Sequence, residues 1–214
     1  MIEKDYVLKQ VIGTHTRERT VELPFVFKYL EGKAILDVGC LESTLCEGLA
    51  QLGYEMTGID IRPYPPNTPL PNTWKWMQED VRHMSLKCGT FDQALAVSTL
   101  EHVGLERAYN INNVVKGYIP TVTGDRESLL EMFRVTKHKG SLIVTLPTGG
   151  PDHFWMRLYS KERLEALLKD FNVEVQEYYV EDNQGKWHPS TPEIAFKQNS
   201  QPLPRAVVCL LLRV

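Results

Sequence analysis

Apolar positions along the chain switch between short unbroken runs and recurrences at helical spacing. Residues 1–32 read as a polar helical preface: Leu23, Val26, Phe27 and Leu30 recur at helical intervals, and Pro24 places the helix start near itself. Residues 33–38 then form a short apolar run ending at Gly39, the pattern of a buried parallel strand followed by a turn. Leu45, Leu49 and Leu52 lie at i, i+4 and i+7 on one helix face, and Gly53 stops that helix. Residues 54–60 read as a second strand. Pro63, Pro65, Pro66, Pro69 and Pro71 make 62–72 an extended loop.

Further strands are expected at 74–78, 91–98 and 141–147. Leu129, Met132 and Phe133 mark a helix begun near Asp125, and Ser160 caps a helix carrying Leu164, Leu167, Leu168 and Phe171. Residues 172–180 and 206–214 read as two strands with no helix signal between them, so their pairing is expected to be antiparallel. The expected fold class is α/β: a doubly wound, seven-stranded, mostly parallel sheet with an antiparallel C-terminal strand and helices on both faces. All of 1–214 is expected to form a single domain, divided into a preface or lid (1–32), a core (33–147) and acceptor loops with closing strands (148–214). Such sheets bind ligands at the carboxyl ends of their strands.

Composition narrows the function classes. The 214 residues are 43% hydrophobic, and 24 Lys+Arg against 27 Asp+Glu leave a net charge of -3. Binding to nucleic acid by bulk charge is disfavoured, because phosphate neutralisation wants a basic excess. The longest apolar run, 207–212, is far below the ~20 residues that span a bilayer, and Met1-Ile2-Glu3-Lys4-Asp5 does not open a secretory signal. Cys40, Cys46, Cys88 and Cys209 show no CxxC spacing, and three sit in apolar surroundings, which reads as buried thiols in a reducing, cytoplasmic setting.

The strand ends carry the candidate chemistry. Asp37-Val38-Gly39 closes the first strand, where glycine lets the backbone turn sharply and approach a ligand. Asp60 closes the second, a place from which a carboxylate accepts both ribose hydroxyls. Asp80 closes the third, within reach of an adenine amino group, or alternatively as a helix N-cap. A dinucleotide would want G-x-G-x-x-G, but Leu41 and Thr44 stand at the second and third glycine positions and Glu42 sets an anion beside any diphosphate. S-adenosylmethionine has an adenosine, no phosphate and two cationic groups, and fits better than NAD.

Residues 35–40 (ILDVGC), Gly58-Ile59-Asp60, Glu79-Asp80-Val81, Phe91-Asp92, 98–104 (STLEHVG) and Lys139-Gly140-Ser141-Leu142 resemble, in order, the motifs of the class I S-adenosylmethionine-dependent methyltransferases. Leu41 and Ser43 depart from the family's commonest D-x-G-x-G-x-G form. The resemblance implies that Asp37 supports the cofactor loop or ammonium, that Gly39 and Cys40 approach the methionine, that Asp60 holds the ribose, that Ile61 packs on adenine, that Asp80 and the Val81 N–H meet its edge, and that Ser98 lies near the methionine end.

An alcohol acceptor wants a base. His102 leads as candidate and Glu101 follows, with a capping or packing role as the alternative for His102. Glu101-His102 also resembles part of a metal site in some quinone-precursor methyltransferases, but Ser98 stands where the second carboxylate would be, so no metal is expected. His153, Arg157 and Tyr159 form a second group after the fifth strand: His153 as another base, Arg157 as a clamp for an anionic acceptor. His15, Arg17, Glu18, Arg19 and Glu22 read first as a solvated helix face and second as a lid. Acceptor choice falls to the preface, the 105–123 insert, where Asn110, Asn112 and Asn113 suit a polyol, and the loops 148–159 and 182–204. The expected function is methyl transfer from S-adenosylmethionine to the O or N of a small polar acceptor; the 98–104 stretch, which resembles sugar and natural-product methyltransferases, points to a sugar or sugar-nucleotide. An RNA or protein methyltransferase and a non-catalytic cofactor-binding subunit are the competing readings.

Overall fold

The computed structural model describes residues 3–13, 15, 17–105, 111, 115, 117–200 and 202–214. Asn110, Asn112 and Asn113 lie outside them. Strands β1 (Ala34–Val38), β2 (Glu55–Asp60), β3 (Lys75–Gln78), β4 (Phe91–Val97), β5 (Thr136–Pro147), β6 (Asn172–Glu181), β7 (Trp187–Ser190) and β8 (Ala206–Arg213) form one eight-stranded sheet in the order 3-2-1-4-5-8-6-7. β1 to β5 pair in parallel, and β8 runs antiparallel to both β5 and β6. The winding reverses between β1 and β4, so the carboxyl ends of those strands open a crevice.

Side-chain alternation along the central strands explains the layering. Ile35, Leu95, Val97, Ile143, Cys209 and Leu211 face one apolar cluster, packed by α1 (Lys4–Ile12), α2 (Arg19–Lys28) and α3 (Leu45–Gln51). Leu36, Val38, Ala94, Ala96, Leu142, Val144, Leu210 and Leu212 face the other, covered by α4 (Gly124–Val135) and α5 (Lys161–Leu168). α6 (Pro192–Ala195) adds Ala195 to that second cluster. Among the described residues, no helix is long and apolar enough to cross a membrane.

The structure adds an eighth strand to the seven expected. β7 pairs antiparallel with β6, with Tyr179 opposite Pro189. Pro189 and the polar run around it hide the strand in sequence, yet proline is tolerated because β7 is an edge. The turn before it is built by Asp182, whose carboxylate accepts from Gln184 N, Lys186 N and His188 Nε2. Two boundaries also move. β5 begins at Thr136, before Gly140. α2 begins at Arg19, so Pro24 lies inside it and removes one intrahelical bond. Burial of Glu22, Leu23, Phe25, Val26 and Phe27 holds the helix regardless.

Candidate active site

A cavity opens at the carboxyl ends of β1, β2, β3 and β4, with about 960 Å³ of empty space counting its mouth. Its lining includes Asp37, Gly39, Asp60, Ile61, Asp80, Val81, Ser98 and His102. The first turn after β1 makes the floor. Gly39 has φ of 77°, in the left-handed region, and its N–H donates to Ile59 O at 2.8 Å. A Cβ there would sit 2.4 Å from Thr99 Cγ2, while Thr99 Oγ1 donates to Val38 O at 3.1 Å. Glycine is therefore required both by the turn and by the approach of the loop after β4.

Asp37 is buried, and its Oδ2 accepts from Cys46 Sγ at 3.4 Å. Burial pushes its carboxyl up to about 7. Cys40 is buried but outside the lining; its sulfur packs where a side chain at Gly58 would go. The carboxylates of Asp60 and Asp80 each meet the arginine two residues on. Asp60 accepts Arg62 Nε at 3.0 Å and Nη2 at 2.8 Å, and Leu41 N at 3.4 Å. Asp80 accepts Arg82 Nε at 3.0 Å and Nη2 at 2.6 Å, and also caps the following turn by accepting Arg82 N at 3.0 Å. Asp80 thus takes the cap role that was the alternative for it, and it also lines the cavity.

After β4, Ser98 takes φ of 44° and starts the turn that holds Leu100–His102. His102 Nδ1 lies 2.9 Å from Trp155 O, and the two rings stack at 5.3 Å and 9°. Glu101 is buried outside the lining, with Oε1 3.8 Å from His102 Nε2 and Oε2 lacking a hydrogen-bond partner among the described residues. Burial pushes its carboxyl up to about 8.

The second group lies off the cavity. Arg157 is buried and donates to Val103 O at 2.6 Å, Thr121 O at 3.1 Å and Val122 O at 3.3 Å, so its guanidinium staples loops where an anion clamp was expected. Tyr159 is buried and donates to Asp125 Oδ2 at 2.9 Å. His153 Nε2 lies 2.7 Å from Ser200 O. A chain reading missed Leu23 of α2 and Tyr118 of the insert as lining residues; Arg19, read second as part of a lid, and Arg62 line the cavity as well. Arg19 and Glu22 are not a solvated face: Glu22 is wholly buried and Arg19 Nη1 meets its Oε2 at 2.5 Å. Their i, i+3 spacing beside Leu23 and Val26 is the only local signal, and solvated helices share it.

The donor set suits an adenosine that carries cations. Asp37, Asp60 and Asp80 are acidic, and the narrow Gly39 cradle admits backbone approach at one point, whereas a diphosphate would want several glycines. Val97, Val103, Leu105, Ile111 and Tyr118 add an apolar and aromatic stretch to a lining that also holds Arg19, Arg62 and Glu79.

Comparisons with known proteins agree with this geometry. A family model described as a methyltransferase domain matches residues 36–144, half of the chain. A ubiquinone biosynthesis O-methyltransferase of Cereibacter sphaeroides is 31% identical over 113 residues, covering 49% of this chain and 43% of that protein. Its counterpart in Ruegeria pomeroyi is 25% identical over 195 residues, covering 79% and 69%. Alignments to these relatives thus span between under half and about two thirds of their length. A SAM-dependent methyltransferase structure from Methanosarcina mazei shares the fold, with TM-score 0.58, 18% identity, and coverage of 89% and 97%.

Proposed function

From its membership of the class I S-adenosylmethionine-dependent methyltransferases, the family to which this chain belongs, we propose that the protein methylates the hydroxyl of a small acceptor built on an apolar ring. The observation that carries this reading is the single cavity that brings Asp37, Gly39, Asp60, Asp80 and His102 together at the strand ends. When bound, S-adenosylmethionine supplies a methyl group already activated by its sulfonium. Asp60 takes the ribose hydroxyls, Asp80 and the Val81 N–H meet the adenine edge, and Ile61 packs on its face. Gly39 lets the methionine lie against backbone, Asp37 faces its ammonium, and Arg19 takes its carboxylate.

His102 then acts on the acceptor. Its Nδ1 faces a carbonyl, which only accepts, so the ring proton sits there and the lone pair is on Nε2. Nε2 would take the hydroxyl proton while the methyl passes to the oxygen and the carbon–sulfur bond of the sulfonium breaks, which leaves S-adenosylhomocysteine as the departing thioether. Alignment in the cavity supplies much of the remaining rate. The relatives' names support oxygen as the methylated atom, and the apolar, aromatic lining supports a ring acceptor in preference to the sugar expected from 98–104.

Calorimetric titration with S-adenosylmethionine, S-adenosylhomocysteine and NAD, beside an Asp60→Ala variant, tests the cofactor; labelled methyl transfer to phenols, catechols and sugars tests the acceptor. Binding of the first two only, lost in the variant, with turnover on phenolic acceptors is expected. NAD binding, or transfer confined to sugars, RNA or protein, would sink the reading.

A further inference from the structure

Glu22 is wholly buried and lies outside the cavity lining. A carboxylate in that position costs several kcal/mol unless it is fully paired. Here it is paired from three elements at once. Ser98 Oγ, just past β4, donates to Oε1 at 2.5 Å, and Thr145 Oγ1 of β5 donates to the same oxygen at 2.7 Å. Arg19 of α2 meets Oε2 at 2.5 Å. Thr145 Oγ1 also accepts the Ser98 backbone N–H at 2.9 Å, which helps hold Ser98 at φ of 44°. That backbone conformation is unfavourable for a non-glycine residue, so it persists because its surroundings hold it.

The two branches lead to two parts of the cavity wall that meet at this one carboxylate. Through Arg19 the carboxylate sets where a guanidinium enters the lining; through Ser98 it sets the start of the turn that carries Glu101 and His102. An apolar side chain would fill the same volume without the desolvation cost, but would leave Arg19 and both hydroxyls without their acceptor. We infer that Glu22 is a positioning residue, whose carboxylate simultaneously aims Arg19 at the cofactor's methionine carboxylate and fixes the Ser98 turn that presents His102 to the acceptor. This rests on the methyltransferase reading above. It makes the N-terminal helix part of the reaction machinery, since Glu22 couples α2 to β4 and β5.

The test combines a double-mutant cycle with a split of kinetic constants in the full chain. Glu22→Gln keeps the shape but turns an amide toward Arg19. It is expected to weaken S-adenosylmethionine binding about tenfold, as Arg19→Ala does, and the double variant should be no weaker than either, because both act through one guanidinium. Thr145→Val is expected to leave that affinity within about twofold while lowering kcat and shifting its pH profile, because Thr145 bonds Ser98 and the Glu22 oxygen that Ser98 shares, not the oxygen that meets Arg19. Should Glu22→Gln fail to fold, Ser98→Ala reads the second branch in the same way and Glu22→Asp, which retains the charge, reads the first. Wild-type affinity and kcat in a Glu22→Gln protein that merely melts earlier would overturn the inference, as would a double variant showing the product of the two single losses. Failure of the wild-type protein to bind the cofactor would instead sink the methyltransferase reading, and this inference with it.

Discussion

His102 Nδ1 sits 2.9 Å from the carbonyl oxygen of Trp155, with the two rings stacked 5.3 Å apart. The contact joins the turn after β4 to the loop after β5 and settles the imidazole tautomer, because a carbonyl accepts and never donates. Removing the base while leaving the cofactor wall untouched separates binding from chemistry. His102→Ala is expected to lower kcat by about 10²–10⁴-fold, to abolish the rising limb of the pH–rate profile, and to leave S-adenosylmethionine affinity within about twofold. Stopped-time methyl-transfer assays with parallel calorimetry check this.

Arg62 competes for the carboxylate that the ribose needs. Its side chain takes one hydrogen bond on each oxygen of Asp60, and Arg62 N takes a further one on Oδ1 at 3.0 Å. A ribose must displace at least part of that pairing. Arg62→Met is therefore expected to tighten S-adenosylmethionine binding severalfold, by about 1 kcal/mol, and it also removes a positive charge from beside a cationic ligand. Asp60→Ala should move affinity the other way, by about 10–100-fold. Equal affinity in the Arg62 variant and the wild type would show that the ribose and the guanidinium share Asp60 without conflict.

Two carboxyls near the site hold protons near neutral pH. Burial pushes Asp37 up to about 7 and Glu101 up to about 8. Their folded values exceed the unfolded ones, so each group costs the ligand-free protein stability as pH rises from about 4 through its folded value, and none below. A cationic cofactor favours the charged forms. Binding should thus release protons, and affinity should climb by up to tenfold per unit for each group as pH rises toward about 7 for Asp37 and about 8 for Glu101, and level off above. Calorimetry in two buffers of different ionisation enthalpy counts the protons; a count of zero across this range contradicts the account.

Arg157 is held where it stabilises backbone. Its guanidinium bonds Val103 O, Thr121 O and Val122 O, and its backbone N bonds Glu101 O at 3.0 Å. Arg157→Ala is expected to cost about 2–4 kcal/mol in urea unfolding and to lower kcat more than it raises the acceptor KM. A selective rise in KM for anionic acceptors, at unchanged stability, would restore the clamp that sequence alone suggested.

Gly39→Ala combines a forced left-handed backbone with a Cβ 2.4 Å from Thr99. We expect a loss of about 2–4 kcal/mol in the same unfolding assay, and weaker cofactor binding in the fraction that folds.

The sheet and the carboxylates that line the cavity at its strand ends were legible along the chain because each is a local matter. Short, mostly apolar runs mark β1, β4 and β5, a glycine marks the turn after β1, and Asp60 ends β2 while Asp80 lies two residues past β3, so their places on the cavity wall come with the strands. What needed the tertiary structure are residues whose role depends on a partner far away in sequence. Arg157 looks like any loop cation until Val103 and Thr121 close around it. Glu22 looks like a solvated helix residue until Ser98 and Thr145 arrive from two strands. β7 shows no alternation and contains proline, and exists because β6 offers an open edge beside a turn organised by Asp182. Periodicity reports what a residue does for its own element; pairing energy across elements is set only when the chain has folded.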